Sequence, residues 1–108
     1  MPVKLPALVI AYLAADEQRD LDKLSGCFTK DAKVHEEHQE YEGLEAIKSW
    51  KERSAARYQY VVEPLRAAVT EKNVRLRARL TGNFPGSPAE LDYTFVLANG
   101  KIASLDIR

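Results

Sequence analysis

The chain has 108 residues, 45% hydrophobic and 30% charged, which leaves room for one domain with one modest core and argues against disorder. Sixteen Lys and Arg balance sixteen Asp and Glu, so net charge gives no case for a nucleic acid or an anionic membrane as partner. The single cysteine, Cys27, excludes an intrachain disulfide, and in the setting Leu24-Ser25-Gly26-Cys27-Phe28 it reads as a buried, inert thiol.

The longest apolar run, Ala7 to Ala15, is too short to cross a bilayer. The N-terminus lacks the apolar stretch of a signal peptide, so a cytoplasmic location is expected. Pro6 suits the first turn of a helix, where its missing N–H costs nothing. From there Leu5, Leu8, Val9, Tyr12, Leu13 and Asp16 share one helical face. Asp20 is a suitable N-cap for a second, short helix carrying Leu21, Leu24 and Phe28 on one side, and Lys30-Asp31 reads as a turn. Ala32 to Glu37 reads as a strand, with Ala32, Val34 and Glu36 on one face and Lys33, His35 and Glu37 on the other. A third helix follows Gly43, from Leu44 to about Arg57. Its inner stripe is Leu44, Ile47, Trp50 (or Lys51) and Ser54, with Lys48 and Glu52 paired outside.

After Tyr58 the period becomes two. Tyr60 to Val69 is a strand bent near Pro64, and Glu71-Lys72-Asn73 is a turn. Val74, Leu76, Ala78 and Leu80 then alternate with Arg75, Arg77 and Arg79. Pro85-Gly86 suits the centre of a type II turn. Leu91, Tyr93, Phe95 and Leu97 alternate with Asp92, Thr94 and Val96, and Asn99-Gly100 marks a hairpin into a last strand, Lys101 to Ile107. Three early helices and late strands give an α+β fold: a curved antiparallel sheet packed against the helices.

Four stretches in this order carry a family resemblance. They are Ala11-Tyr12-Leu13-Ala14-Ala15 with Asp20-Leu21-Asp22-Lys23-Leu24; Phe28 to Glu36; Tyr41 to Trp50; and Asn99-Gly100-Lys101-Ile102-Ala103. Together they resemble the polyketide cyclase SnoaL-like family of the nuclear transport factor two-like superfamily, whose fold is a cone-shaped α+β barrel. The family includes isomerases, dehydratases, cyclases, epoxide hydrolases and non-catalytic members. The resemblance implies a single domain over residues 1–108, an apolar pocket at the open end of the cone, and pairing of two copies through the sheet.

Steroid Δ-isomerases of that superfamily use a carboxylate base on the first strand, a tyrosine on the first helix and a protonated aspartate on a later strand. By the same resemblance these positions fall on Glu36, Tyr12 and Tyr93. Glu36 is one methylene longer than the usual aspartate, and Tyr93 offers a phenol in place of a carboxylic acid. SnoaL-type cyclases use an aspartate late on the final strand, with which Asp106 does not align.

The residues also speak for themselves. Glu36 shares a strand face with Ala32 and Val34, where a carboxylate is costly to bury unless paired or protonated; it is either a pocket acid or a rim residue. Tyr12 and Tyr93 lie on apolar faces, as site hydroxyls or as core. Trp50, Phe95 and Leu80 are either pocket wall, contacting a ligand, or core. His35-Glu36-Glu37-His38 fails as a zinc motif: the histidines are three apart, and on a strand they would face opposite ways. No metal or other cofactor is implied. Arg75, Arg77 and Arg79 read as a solvated or dimer-facing row paired with Glu63 or Asp92. Two functions follow: a cofactor-free isomerase, cyclase or hydrolase with Glu36 as base and Tyr12 and Tyr93 as oxyanion donors, or a non-catalytic module that binds a small apolar molecule or dimerises.

Overall fold

A computed structural model describes residues 4–36 and 38–108. The first helix, α1, runs Ala7–Gln18 behind Pro6 and stops where Arg19 turns left-handed (φ 57°). The second, α2, is Leu21–Gly26, and the Asp20 carboxylate accepts from the Lys23 N–H at 3.1 Å, as an N-cap should. Strand β1 (Phe28–Glu36) and a short β2 (Gln39–Glu42) follow, then α3 (Leu44–Arg57). Four strands complete the chain: β3 (Tyr60–Val69), β4 (Asn73–Gly82), β5 (Ala89–Ala98) and β6 (Lys101–Ile107).

The six strands form one sheet in the order β2-β1-β6-β5-β4-β3, curved but unclosed. Several details differ from the sequence reading. Lys30-Asp31 is not a turn: β1 starts at Phe28, and the chain absorbs the change as a register irregularity between Phe28 and Lys33. Sheet pairing is not wholly antiparallel, because β1 runs parallel to β6. β2 was not anticipated from its charged sequence. Lys48 pairs with Asp22 of α2 at 3.5 Å, not with Glu52. Glu37 lies outside the described residues.

Alternation fixed the sheet faces correctly. Val74, Leu76, Ala78 and Leu80 are buried, as are Tyr93 and Phe95, while the arginines between them face out. Arg77 binds Asp92 at 2.9 Å and Glu90 at 3.3 Å; Arg79 reaches Glu63 at 3.5 Å and Glu90 at 3.6 Å. These pairs are solvated and contribute little to stability. The inner face packs under α1 and α3. Tyr12 meets Phe28 and Phe95 edge-on, with centroids 5.8 and 5.6 Å apart, and Tyr93 stacks on Phe95 at 6.1 Å. Each such aromatic pair adds about 0.5–1.5 kcal/mol beyond the area it buries. Cys27 is buried, and burial pushes its thiol up from the ordinary value, as expected of an inert cysteine.

Candidate functional site

Glu36 closes β1 on the inner face. In register it sits beside Ile107 of β6, and Ile107 sits beside Tyr93 of β5. Carboxylate and phenol therefore occupy one cross-sheet row, two strand spacings or roughly 10 Å apart at the backbone. The Trp50 indole N–H donates to Glu36 Oε1 at 3.0 Å, which orients the carboxylate from α3. Tyr41 stacks on the same indole, centroids 5.7 Å apart. Glu36 also lines an open cleft of about 500 Å³ at the end of the strands, with His35, His38, Leu91, Ile107 and Arg108.

Tyr12 comes down from α1 into the core and is fully buried, and its hydroxyl has no hydrogen-bond partner among the described residues. Leaving such a group unsatisfied costs about 1–3 kcal/mol. Burial holds the Tyr12 and Tyr93 phenols well above their ordinary value, with nearby Lys51 working the other way. Trp50, Phe95 and Leu80, the other expected contacts, are all packed into the core cluster. Leu80 lies away from Glu36, paired with Val62 and Ala89.

One arrangement was missed. Lys51 Nζ donates to Asp16 Oδ1 at 2.9 Å and to the Tyr60 hydroxyl at 3.2 Å, and that hydroxyl donates to both Asp16 oxygens at 3.1 and 3.2 Å. The lysine and aspartate side chains are only 6% and 8% exposed. The network ties α1, α3 and β3 together beneath the aromatic core. Burial opposes the Lys51 charge, yet the acidic groups around it, Tyr12 and Asp16 foremost, hold its pKa well above the usual lysine value. Asp16 and Tyr60 also line a second cleft of about 390 Å³ beside Tyr58 and Gly82. Partial signals existed in the sequence: Asp16 lies one turn after Tyr12, and Lys51 shares the inner stripe of α3 with Trp50. The convergence of three distant residues was not among them.

His35 lies on the outer face beside Asp106, Nδ1 to Oδ1 3.6 Å, and 43% of its side chain is exposed. Asp106 is held below the usual carboxylate range mainly by its hydrogen bonds from Arg108. His38 is beyond β1, with φ 66°, rather than on a strand with His35. No group of three or more His, Cys, Asp or Glu among the described residues is placed to hold a metal, and no described helix is long and apolar enough to cross a membrane.

Comparison with known proteins agrees with this architecture. Residues 9–105 match the model of the SnoaL-like domain. A crystal structure described as a candidate polyketide cyclase from Sinorhizobium meliloti is 39% identical, with 96% of this chain and 95% of that one covered and a TM-score of 0.93. A protein with a ketosteroid isomerase-like fold from Catenulispora acidiphila, solved with trimethylamine, is 21% identical over 97% and 86% of the two chains, TM-score 0.85. An NTF2-like protein of unknown function from Cytophaga hutchinsonii is 18% identical over 100% and 91%, TM-score 0.79. No curated protein matches the chain. On the family match and the 39% identical structure, the chain belongs to the SnoaL-like domain family.

Proposed function

We propose that this SnoaL-like domain is a cofactor-independent acid–base catalyst of the isomerase, cyclase or hydrolase type, acting on a small, mainly apolar carbonyl compound. Glu36 takes a proton from the carbon beside the carbonyl. The C–H electron pair forms the new C=C bond, and the carbonyl π pair moves onto oxygen. Tyr12 and Tyr93 donate hydrogen bonds to that oxyanion, and the protonated Glu36 returns the proton to carbon. The observation that carries the reading is the buried, unpartnered Tyr12 hydroxyl. A ligand oxygen would satisfy it. Leu91 and Ile107 give the cleft beside Glu36 an apolar wall.

The non-catalytic alternative is favoured by the packing: Tyr12 and Phe95 are wholly enclosed, as in a filled core. In that reading the domain binds a small apolar molecule or only dimerises. Pairing through the outer sheet face, where Val61 and Val96 are exposed, and a cytoplasmic setting belong to the proposal in either form. Deuterium exchange into 2-cyclohexenone in D₂O, followed by NMR, separates the two. Wild type should accelerate exchange beside the carbonyl, and Glu36→Gln should lose about 10²–10⁴-fold, the usual share of a general base. Equal rates for wild type, Glu36→Gln and buffer would leave the non-catalytic reading.

A further inference from the structure

The short strand β2 has one apolar side chain, that of Tyr41, and places it next to Glu36. In the β1–β2 register Tyr41 lies opposite Val34 and Gln39 opposite Glu36, so Tyr41 shares the inner face and sits one same-face row from the carboxylate. Its half-buried ring stacks on the Trp50 indole, centroids 5.7 Å apart and planes 25° from parallel, and the Arg53 guanidinium of α3 lies 5.8 Å from the tyrosine ring. Lys51 Nζ stands over the same indole, 4.4 Å from its centroid, and is itself held by Asp16 and Tyr60. Trp50 is only 4% exposed, so a ring packed on these sides has little room to turn. Its N–H is aimed at Glu36 Oε1, and no hydrogen bond among the described residues engages Oε2.

We propose that Tyr41 is a positioning residue for proton transfer: by fixing the Trp50 ring it holds Glu36 Oε1 on the indole N–H and leaves Oε2 to take the proton, so that β2 belongs to the catalytic apparatus. The inference rests on the reading of Glu36 as the base. The C–H bond breaks and an O–H bond forms at Oε2, while the C–H electron pair stays with the substrate as its enolate. Tyr41 touches no substrate in this step. A glutamate needs such support, because its extra methylene adds a rotatable bond that must be frozen before the oxygen can reach its target. A reacting group displaced by about 1 Å can lose about 10²-fold in rate. Packing alone explains the arrangement less well. It accounts for a buried ring at this edge, but not for an indole N–H given to a carboxylate that lines a cleft when any core carbonyl would satisfy it.

The test combines the rate of deuterium exchange into 2-cyclohexenone with NMR of the indole N–H, which gives a single signal because the chain has one tryptophan. Tyr41→Leu should slow the exchange about 10–10²-fold, with the loss in kcat and KM unchanged. In the same variant the indole N–H should trade its proton with water faster than in wild type, since the ring is no longer held. Tyr41→Phe keeps the ring and should restore both. Glu36→Gln, which leaves the stack alone, should move the indole proton upfield, as expected when a charged acceptor becomes a neutral one. An indole signal unmoved by Glu36→Gln overturns the inference, whatever the Tyr41 variants do. So does a Tyr41→Leu protein that matches wild type in rate when Glu36→Gln has lost it, and that result leaves the base assignment standing. Exchange that survives Glu36→Gln removes the base assignment and the inference with it.

Discussion

At the scale of single residues, the crowding of Tyr12, Tyr60, Tyr93 and Lys51 has a consequence in alkali. Burial is the main reason the three phenols hold their protons more tightly than free tyrosine, and Lys51 keeps its own well above the usual lysine value despite burial. All four bind protons more tightly folded than unfolded. Their contribution to stability is therefore complete below the unfolded values, ~10 for tyrosine and ~10.4 for lysine, and is lost as pH rises through the folded ones. Tyrosinate absorbance from Tyr12, Tyr60 and Tyr93 should emerge together with the loss of circular dichroism, above about pH 10. Ionisation of all five tyrosines with the fold intact near that pH would contradict the burial described here. Glu36, Tyr12 and Tyr93 were named through the family resemblance; strand parity and helical face put them on apolar sides but did not separate a site role from core or rim. Lys51 could not be named at all, because a lysine beside a stripe-forming tryptophan ordinarily extends its head to water. Only the arrival of Asp16 from α1 and Tyr60 from β3 makes its burial tolerable.

At the scale of elements, β4 was the most legible, since four apolar residues alternating with three arginines admit one register against a half-buried sheet. The Asn99-Gly100 hairpin was equally plain: both residues have positive φ, 54° and 73°, as the turn requires. β2 and the parallel β1–β6 pairing were not legible. Gln39-Glu40-Tyr41-Glu42 has no apolar alternation, and its strand exists because β1 offers it an edge. Parallel pairing of β1 with β6 joins segments some seventy residues apart, for which no local pattern exists. Gly82 shows another tertiary constraint. A Cβ there would stand 2.1 Å from the Gln59 carbonyl oxygen and 2.8 Å from the Tyr60 Cα, so backbone must shift to admit it. Gly82→Ala should lower stability by about 1–3 kcal/mol and displace Tyr60, its strand partner. A denaturation midpoint equal to wild type would show that the β3–β4 end is looser than this packing implies.

For the whole molecule, the open sheet has an outer face of paired charges interrupted by exposed Val61 and Val96, at 57% and 36%. Association through that face predicts a homodimer. Sedimentation at micromolar concentration should give twice the 12.2 kDa chain mass, and a single species at the chain mass would remove the dimer. The inner face carries the functional claim: a carboxylate held by Trp50 at one end of a cross-sheet row, Tyr93 at the other, and a buried Tyr12 hydroxyl with no partner among the described residues. The Tyr12 hydroxyl is the point at which catalysis and mere packing part company, because Phe fills the same space without the donor. The deciding measurement is the rate of deuterium exchange into 2-cyclohexenone by Tyr12→Phe. The account predicts a fall of about 10²–10³-fold, as for the loss of one oxyanion donor, with the fold unchanged. A folded Tyr12→Phe protein that exchanges as fast as wild type would contradict it.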